Sequence, residues 1–252
     1  MRCFLIATDG FIQKHRPDLM LGQKNFQNPW TDQNGQQWVD IFSDDVVSFY
    51  LKIINLGIKL GADDINLDYI RFPTEGKVEN ILSRHNKKNE PRHKSVENLL
   101  KQIMLLTNSQ KVSLSADIFG IVVWDNHRTN QLLGQEMVVF MRYVDILSPM
   151  LYPSHFHNGF NGYENPGDEP YIFMLEGCQK FNKIVSSMPY YHVKQIPWIQ
   201  AFDYRTKKYD PQYIVDQIKA AYTSNMDGYF GWNAQNNYNT FYKGSQKYNY
   251  SL

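Results

Sequence analysis

The stretch Gly61–Pro73, GADDINLDYIRFP, sets a carboxylate, Asp68, inside what reads as a short buried strand. A period of two puts Ile65, Leu67 and Tyr69 on one face and Asn66, Asp68 and Ile70 on the other. A carboxylate inside such a strand is costly to bury unless it is paired or working. Asp68 comes just before the strand runs out at Pro73, and Arg71 follows it. In a β/α barrel the carboxyl ends of the strands are where chemistry is done. Asp68 is therefore either a reacting group or a partner that lets Arg71 fix the loop. A second carboxylate stands in KVSLSADIF, Lys111–Phe119, where Val112, Leu114 and Ala116 alternate with Ser113, Ser115 and Asp117. One apolar face and one small polar face ending in Asp fits the inside of a barrel near its mouth. Asp117 is either a second reacting group or a cap for the loop to Gly120.

The elements that must position these groups alternate along the chain. CFLIAT, 3–8, is predicted as the first strand, followed by a loop-like region to Phe42. Within that region Asn34-Gly35 predicts a small hairpin that brings Trp30 and Trp38 near each other. Ser43 with Asp44 and Asp45 predicts a helix start, and Val46, Val47, Tyr50, Ile53 and Ile54 follow helical spacing up to Gly61. After a polar insertion, 74–92, a second helix is predicted over 94–107. A loop over 120–128, a helix over 133–143, a strand over 144–152 and a long loop over 153–168 come next. A helix over 170–187, a strand IPWIQAF over 196–202, a helix opened by Asp210-Pro211 and a strand GYFGWN over 228–233 complete the pattern. The tail from Ala234 shows no period.

Six strand–helix alternations predict parallel βα units. Polar groups gather at several strand ends (Asp68, Asp117, Tyr152, Gln200, Asn233), which favours a barrel over a doubly wound sheet. No Gly-rich dinucleotide loop or P-loop is present, so neither a nucleotide cofactor nor a phosphorylated metabolite has a recognisable cradle. His155 and His157 lack a third ligand at a recognisable spacing, so no metal site is expected.

The chain has 252 residues, 20% of them charged, with a formal net charge of +1, which offers no nucleic-acid footprint. No stretch is long or apolar enough to span a bilayer. MRCFLIATDG lacks the form of a signal peptide. Cys3 and Cys178 are far apart in sequence and make neither a disulfide framework nor a metal spacing. Aromatics at 15% favour surfaces that stack on flat apolar faces such as sugar rings, although most of them belong in a core.

LGADDINLDYIRFPTEG, SLSADIFG, LLGQ, YVDILSPMLYPSHF and GYFGWNA, in this order, resemble the bacterial glycoside hydrolase domain family DUF4015, a TIM-barrel family related to the glycosidase superfamily. The resemblance implies a (β/α) barrel and hydrolysis of a glycosidic bond. Members begin with two further βα units, so 1–252 is expected to be a single barrel domain lacking two of eight units, with a missing N-terminal segment as its partner and exposed edge strands. An exported full-length protein would be compatible with the family. In the seventh strand of the family an acid follows Trp-Leu-Gln; here Ala201 takes that place and Asp203 comes two residues later.

Glycoside hydrolysis needs two carboxyl groups, ~5–5.5 Å apart for retention and ~6.5–9.5 Å for inversion. Asp68 and Asp117 on neighbouring strands fit either range. Asp68 is expected to be the nucleophile or base, kept ionised by Arg71 and Tyr69, and Asp117 the acid. Tyr69, Arg71, Tyr152, His155, Gln200, Trp232 and Asn233 are expected to hold or stack the carbohydrate substrate. The alternative is a carbohydrate-binding or remnant domain without turnover.

Overall fold

Three parallel strands in the first half of the chain hold the acidic stretch. β2, Asp64–Asp68, lies between β1, Arg2–Phe4, and β3, Ser113–Phe119. Arg2 stands opposite Asn66 and Phe4 opposite Asp68, while Asp64 faces Ser113 and Asn66 faces Ser115. Because alternate residues share a face, this register collects Arg2, Asp64, Asn66, Asp68, Ser115 and Asp117 on one side of the three strands. The computed structural model describes residues 1–4, 10–23, 28–124 and 127–249. The predicted first strand, 3–8, runs beyond Phe4 into positions outside the described residues.

The chain divides into two compact units. The first comprises Met1–Ile118 and Asn126–Asp145. Its helices are α1, Gly10–His15, α2, Asp44–Lys59, α3, Arg92–Gln110, α4, His127–Leu133, and α5, Met137–Tyr143. α2 buries Val46, Val47, Tyr50 and Ile54; α3 buries Val96, Leu99, Leu100 and Ile103. Each of the aliphatic side chains among these contributes roughly 1.5–3 kcal/mol when fully withdrawn from water, so these stripes, more than any cap, hold the helices. Ser43 occupies the predicted N-cap of α2 but its side chain makes no capping bond. The predicted hairpin is present: Thr31 bridges Gln37 antiparallel, and Asp32 accepts from the Asn34 and Gln36 amides and from Trp38 Nε1.

The second unit comprises Phe119–Asp125 and Ile146–Leu252. β4, Ile146–Met150, pairs in parallel with β5, Lys194–Gln195, and with β6, Trp198–Gln200; β7, Phe230–Trp232, pairs with β6. β5 and β6 are two pieces of the predicted fifth strand. Pro197 between them has no N–H for the ladder. α6, Pro170–Ser186, and α7, Pro211–Thr223, flank them, and Asp210 caps α7 through its carboxylate to the Gln212 and Tyr213 amides. The described residues thus hold six strand positions in the alternating parallel order of a (β/α) TIM-type barrel.

Four segments differ from expectation. The loop-like region after β1 contains α1, and the loop over 120–128 holds a short 3-10 helix, Gly120–Trp124, and the start of α4. The helix predicted over 133–143 begins only at Met137 as α5: Leu133 is the last residue of α4, and Gly134, at a φ of 73°, ends that helix. The tail forms α8, Asn239–Asn249.

Candidate active site

In the first unit the polar face of β1–β3 is a connected network. The Asp68 side chain is 4% exposed; its Oδ2 takes a hydrogen bond from Arg2 Nη2 at 2.7 Å and its Oδ1 one from the Tyr69 amide at 2.7 Å. The Asp117 side chain is fully enclosed, with Oδ2 at 3.2 Å from the same Arg2 nitrogen. Its Oδ1 accepts from Asn66 Nδ2 at 3.0 Å. Asn66 also donates to Ser115 Oγ, whose hydroxyl donates to Asp64 Oδ2 at 2.8 Å. One guanidinium therefore neutralises part of two buried carboxylates, and neutral donors satisfy much of the remainder.

Tyr69 leaves the strand instead of continuing its face: β2 ends at Asp68, and Tyr69 adopts φ 55°. A bulky side chain in the left-handed region is uncommon and concentrates at functional exits. The turn brings the half-exposed Tyr69 ring to 6.3 Å from Trp38. Arg71 packs its guanidinium over both rings, 5.0 Å from Trp38 and 5.3 Å from Tyr69, and donates to the Phe72 carbonyl. Burial pulls the Arg71 pKa down, while the charges of Glu75, Tyr69, Asp68 and Asp32 work against that pull. Arg71 is a buried strut whose charge reaches Asp68 through space.

The second unit has a cleft of about 570 Å³ at the ends of β6 and β7. His155, Phe202, Asp203, Tyr204, Tyr209 and Trp232 are among the residues that line it. Burial, reinforced by Arg205, lowers the His155 pKa, so its imidazole is neutral at pH 7. Trp232 is half-buried and stands edge-on to Trp198. Asn233 also lines the cleft, yet its amide is committed: Nδ2 donates to the Ala201 and Asn237 carbonyls and Oδ1 accepts from the Gln235 amide. Gln200 is fully buried and equally engaged, taking the Ser154 amide at 3.1 Å and donating to the Phe202 carbonyl at 3.0 Å. Tyr152, also buried, packs edge-on against His155 and Phe202. The cleft thus gathers His155, Trp232 and Asn233, with Tyr152 and Gln200 behind the lining.

Sequence reasoning missed Arg2, Asp64 and Ser115 as network members and Asp203, Tyr204 and Tyr209 as cleft residues. Ser115 and Asp64 carried a signal, since period-two counting puts them on the faces of Asp117 and Asp68. Among the described residues no three His, Cys, Asp or Glu side chains are grouped to hold a metal ion, and no helix is long and apolar enough to cross a membrane.

The family described as "Putative glycosyl hydrolase domain" (DUF4015) matches residues 2–238. The chain belongs to this family. No curated protein sequence matches it. Among solved structures it is similar to the PgaB (BpsB) glycoside hydrolase domain from Bordetella bronchiseptica, at 11% identity and a TM-score of 0.54, over 78% of this chain and 59% of that one. It is similar to the glycoside hydrolase domain of PelA from Pseudomonas aeruginosa, at 9% identity and a TM-score of 0.51, over 94% of this chain and 78% of that one. The α-galactosidase TtGalA from Thermus thermophilus aligns at 10% identity with a TM-score of 0.57, over 100% of this chain and 49% of the enzyme. The chain therefore spans 59% of the Bordetella domain and about half of the Thermus enzyme. At these identities the likeness establishes the fold of this DUF4015 chain.

Proposed function

We propose that this DUF4015 chain hydrolyses a glycosidic bond in a glycan, with Asp68 and Asp117 as the reacting pair. The observation that supports the reading is that a single Arg2 nitrogen touches both carboxylates, at 2.7 and 3.2 Å. The two bridged oxygens are thus at most about 6 Å apart, nearer the retaining than the inverting separation. Asp68, with the closer cation contact and a backbone N–H on its other oxygen, is assigned as the nucleophile, and Asp117, across the Arg2 bridge, as the acid. Asp117 gives its proton to the glycosidic oxygen as Asp68 attacks the anomeric carbon and the C–O bond breaks. Water, deprotonated by Asp117, then releases the sugar from Asp68. Tyr69, on its strained exit and backed by Arg71, offers a stacking face in the first unit. In the second unit Trp232 stacks a sugar and His155 holds a hydroxyl, while Tyr152, Gln200 and Asn233 keep these groups in place.

A second reading, carbohydrate binding without turnover, has one observation in its favour: both carboxylates are enclosed and share a cation. Release of reducing ends from a polysaccharide panel that includes peptidoglycan separates the two. The native chain should release them, and Asp68→Asn and Asp117→Asn should each lose at least about a hundredfold in turnover while keeping the native circular dichroism. Binding with no release by the native chain would favour the second reading.

A further inference from the structure

We propose that the cleft of the second unit selects a sugar bearing a free amine, with Asp203 as the group that recognises the ammonium. The inference rests on the glycan reading above and names the substrate class. The walls are rings: Phe202, Tyr204, Tyr209 and Trp232 line the same cavity as Asp203. Among the described residues that line it, Asp203 carries the one formal charge at neutral pH, and neither Lys nor Arg is present. Its carboxylate is exposed and makes no hydrogen bond or ion pair among the described residues.

The nearby cations are engaged elsewhere. Arg205 Nη2 donates to Asn158 Oδ1 at 2.7 Å, Lys207 Nζ lies 3.2 Å from Asp168, and Lys208 Nζ lies 2.7 Å from Asp210. His155 adds no charge, because burial and Arg205 hold it neutral. The field of Asp203 is felt inside the cleft: the Tyr209 hydroxyl is pushed up to about 12 by burial and by that charge. A neutral hexose would use the rings and the amides and leave the carboxylate idle. An ammonium beside a carboxylate and over aromatic faces gains from both ion pairing and the ring quadrupoles. Arg205 stands 6.0 Å from the Tyr204 ring, which shows that this wall already accepts a cation on one side.

The test is calorimetric titration of the whole chain and of Asp203→Asn. The probes are glucosamine and galactosamine tetramers, each beside its N-acetylated form. The native chain should bind at least one amine-bearing tetramer about tenfold more tightly than its N-acetylated partner, a difference of about 1.4 kcal/mol. Asp203→Asn, a near-isosteric change at an exposed position, should remove that preference. It should leave the melting temperature and the affinity for the N-acetylated form unchanged. Equal affinity for both members of each pair, a preference that survives in Asp203→Asn, or no binding of any tetramer would overturn the proposal. The hydrolytic reading fails separately. Amine-selective binding without release of reducing ends upholds the Asp203 assignment and sinks the Asp68–Asp117 mechanism. Hydrolysis of glycans without amine preference does the reverse.

Discussion

Arg2 Nη2 stands 2.7 Å from Asp68 Oδ2 and 3.2 Å from Asp117 Oδ2, so a residue of β1 ties together the carboxylates of β2 and β3. Without that cation the two enclosed carboxyl groups would lose the partner they share. Arg2→Met is expected to lower stability by about 3 kcal/mol, the lower end for breaking a buried pair, because the Arg2 side chain is itself 21% exposed. Urea denaturation measures it, and Arg2→Lys should recover part of the loss. A change of less than about 0.5 kcal/mol would show that the bridge does not hold the strands.

The same geometry bears on stereochemistry. A bridged pair of oxygens at most about 6 Å apart leaves less room for a water between carboxyl groups than the ~6.5–9.5 Å of inverting enzymes. The first sugar released, followed by proton NMR before mutarotation, should carry the anomeric configuration of the substrate. Inversion would mean that Asp68 and Asp117 are not the reacting pair.

Much of the first unit was legible in the sequence, because a period of two sorts side chains without reference to distant contacts. DINLD and SLSAD each showed their polar face, and the structure puts those faces together by register. Arg2 escaped because the predicted strand began at Cys3 and left it unassigned. The turn at Tyr69 escaped because nothing local marks a non-glycine residue for positive φ. α8 and the residue before it carry a helical spacing of rings, Tyr238, Phe241 and Tyr248, which the polar Asn- and Gln-rich composition of the tail obscures; Gly244 lets its backbone approach Ile214 and Pro211 of α7, and the Phe241 ring fits against Gly231. Tertiary contacts, not propensity, make that helix. In the second unit Gln200 and Asn233 looked like sugar ligands because they end strands. Their partners, Ser154 and Phe202 for the one and Ala201 and Asn237 for the other, are loop backbone groups that a strand pattern does not disclose. Gly134 marks the end of α4 in the sequence itself, since glycine takes a φ of 73° without a Cβ clash.

His155 makes stability depend on pH with a definite sign. Its folded pKa lies below the ordinary 6.5, through burial first and Arg205 second. The unfolded chain therefore binds the proton more readily, and stability falls as pH drops through about 6.5 toward the folded pKa. Denaturation midpoints measured between pH 7.5 and 5 should decline in the native chain and decline less in His155→Asn. Parallel slopes would show that His155 is not the group responsible.

Gln200 and Trp232 should separate structure from binding, because their surroundings differ in kind. Gln200 is fully buried, its side chain takes the Ser154 amide and supplies the Phe202 carbonyl, and its main chain is clasped by Gln217. Gln200→Ala orphans at least two buried groups, each costing about 1–3 kcal/mol, and creates a hole besides. The melting temperature should fall by roughly 5 °C or more, at about 2–4 °C per kcal/mol for a chain of this size. Trp232 is half-buried and turns toward the cleft, so Trp232→Ala loses less packing. Its expected effect is a loss of about 1–3 kcal/mol in oligosaccharide affinity, with a smaller shift in melting temperature than Gln200→Ala. Aromatic–base stacking is the source of that magnitude, and a sugar face falls toward its lower end. If Trp232→Ala instead melts as early as Gln200→Ala and binds sugar unchanged, the indole is part of the core between Trp198 and β7, and the stacking face must be sought at Tyr204 or Tyr209.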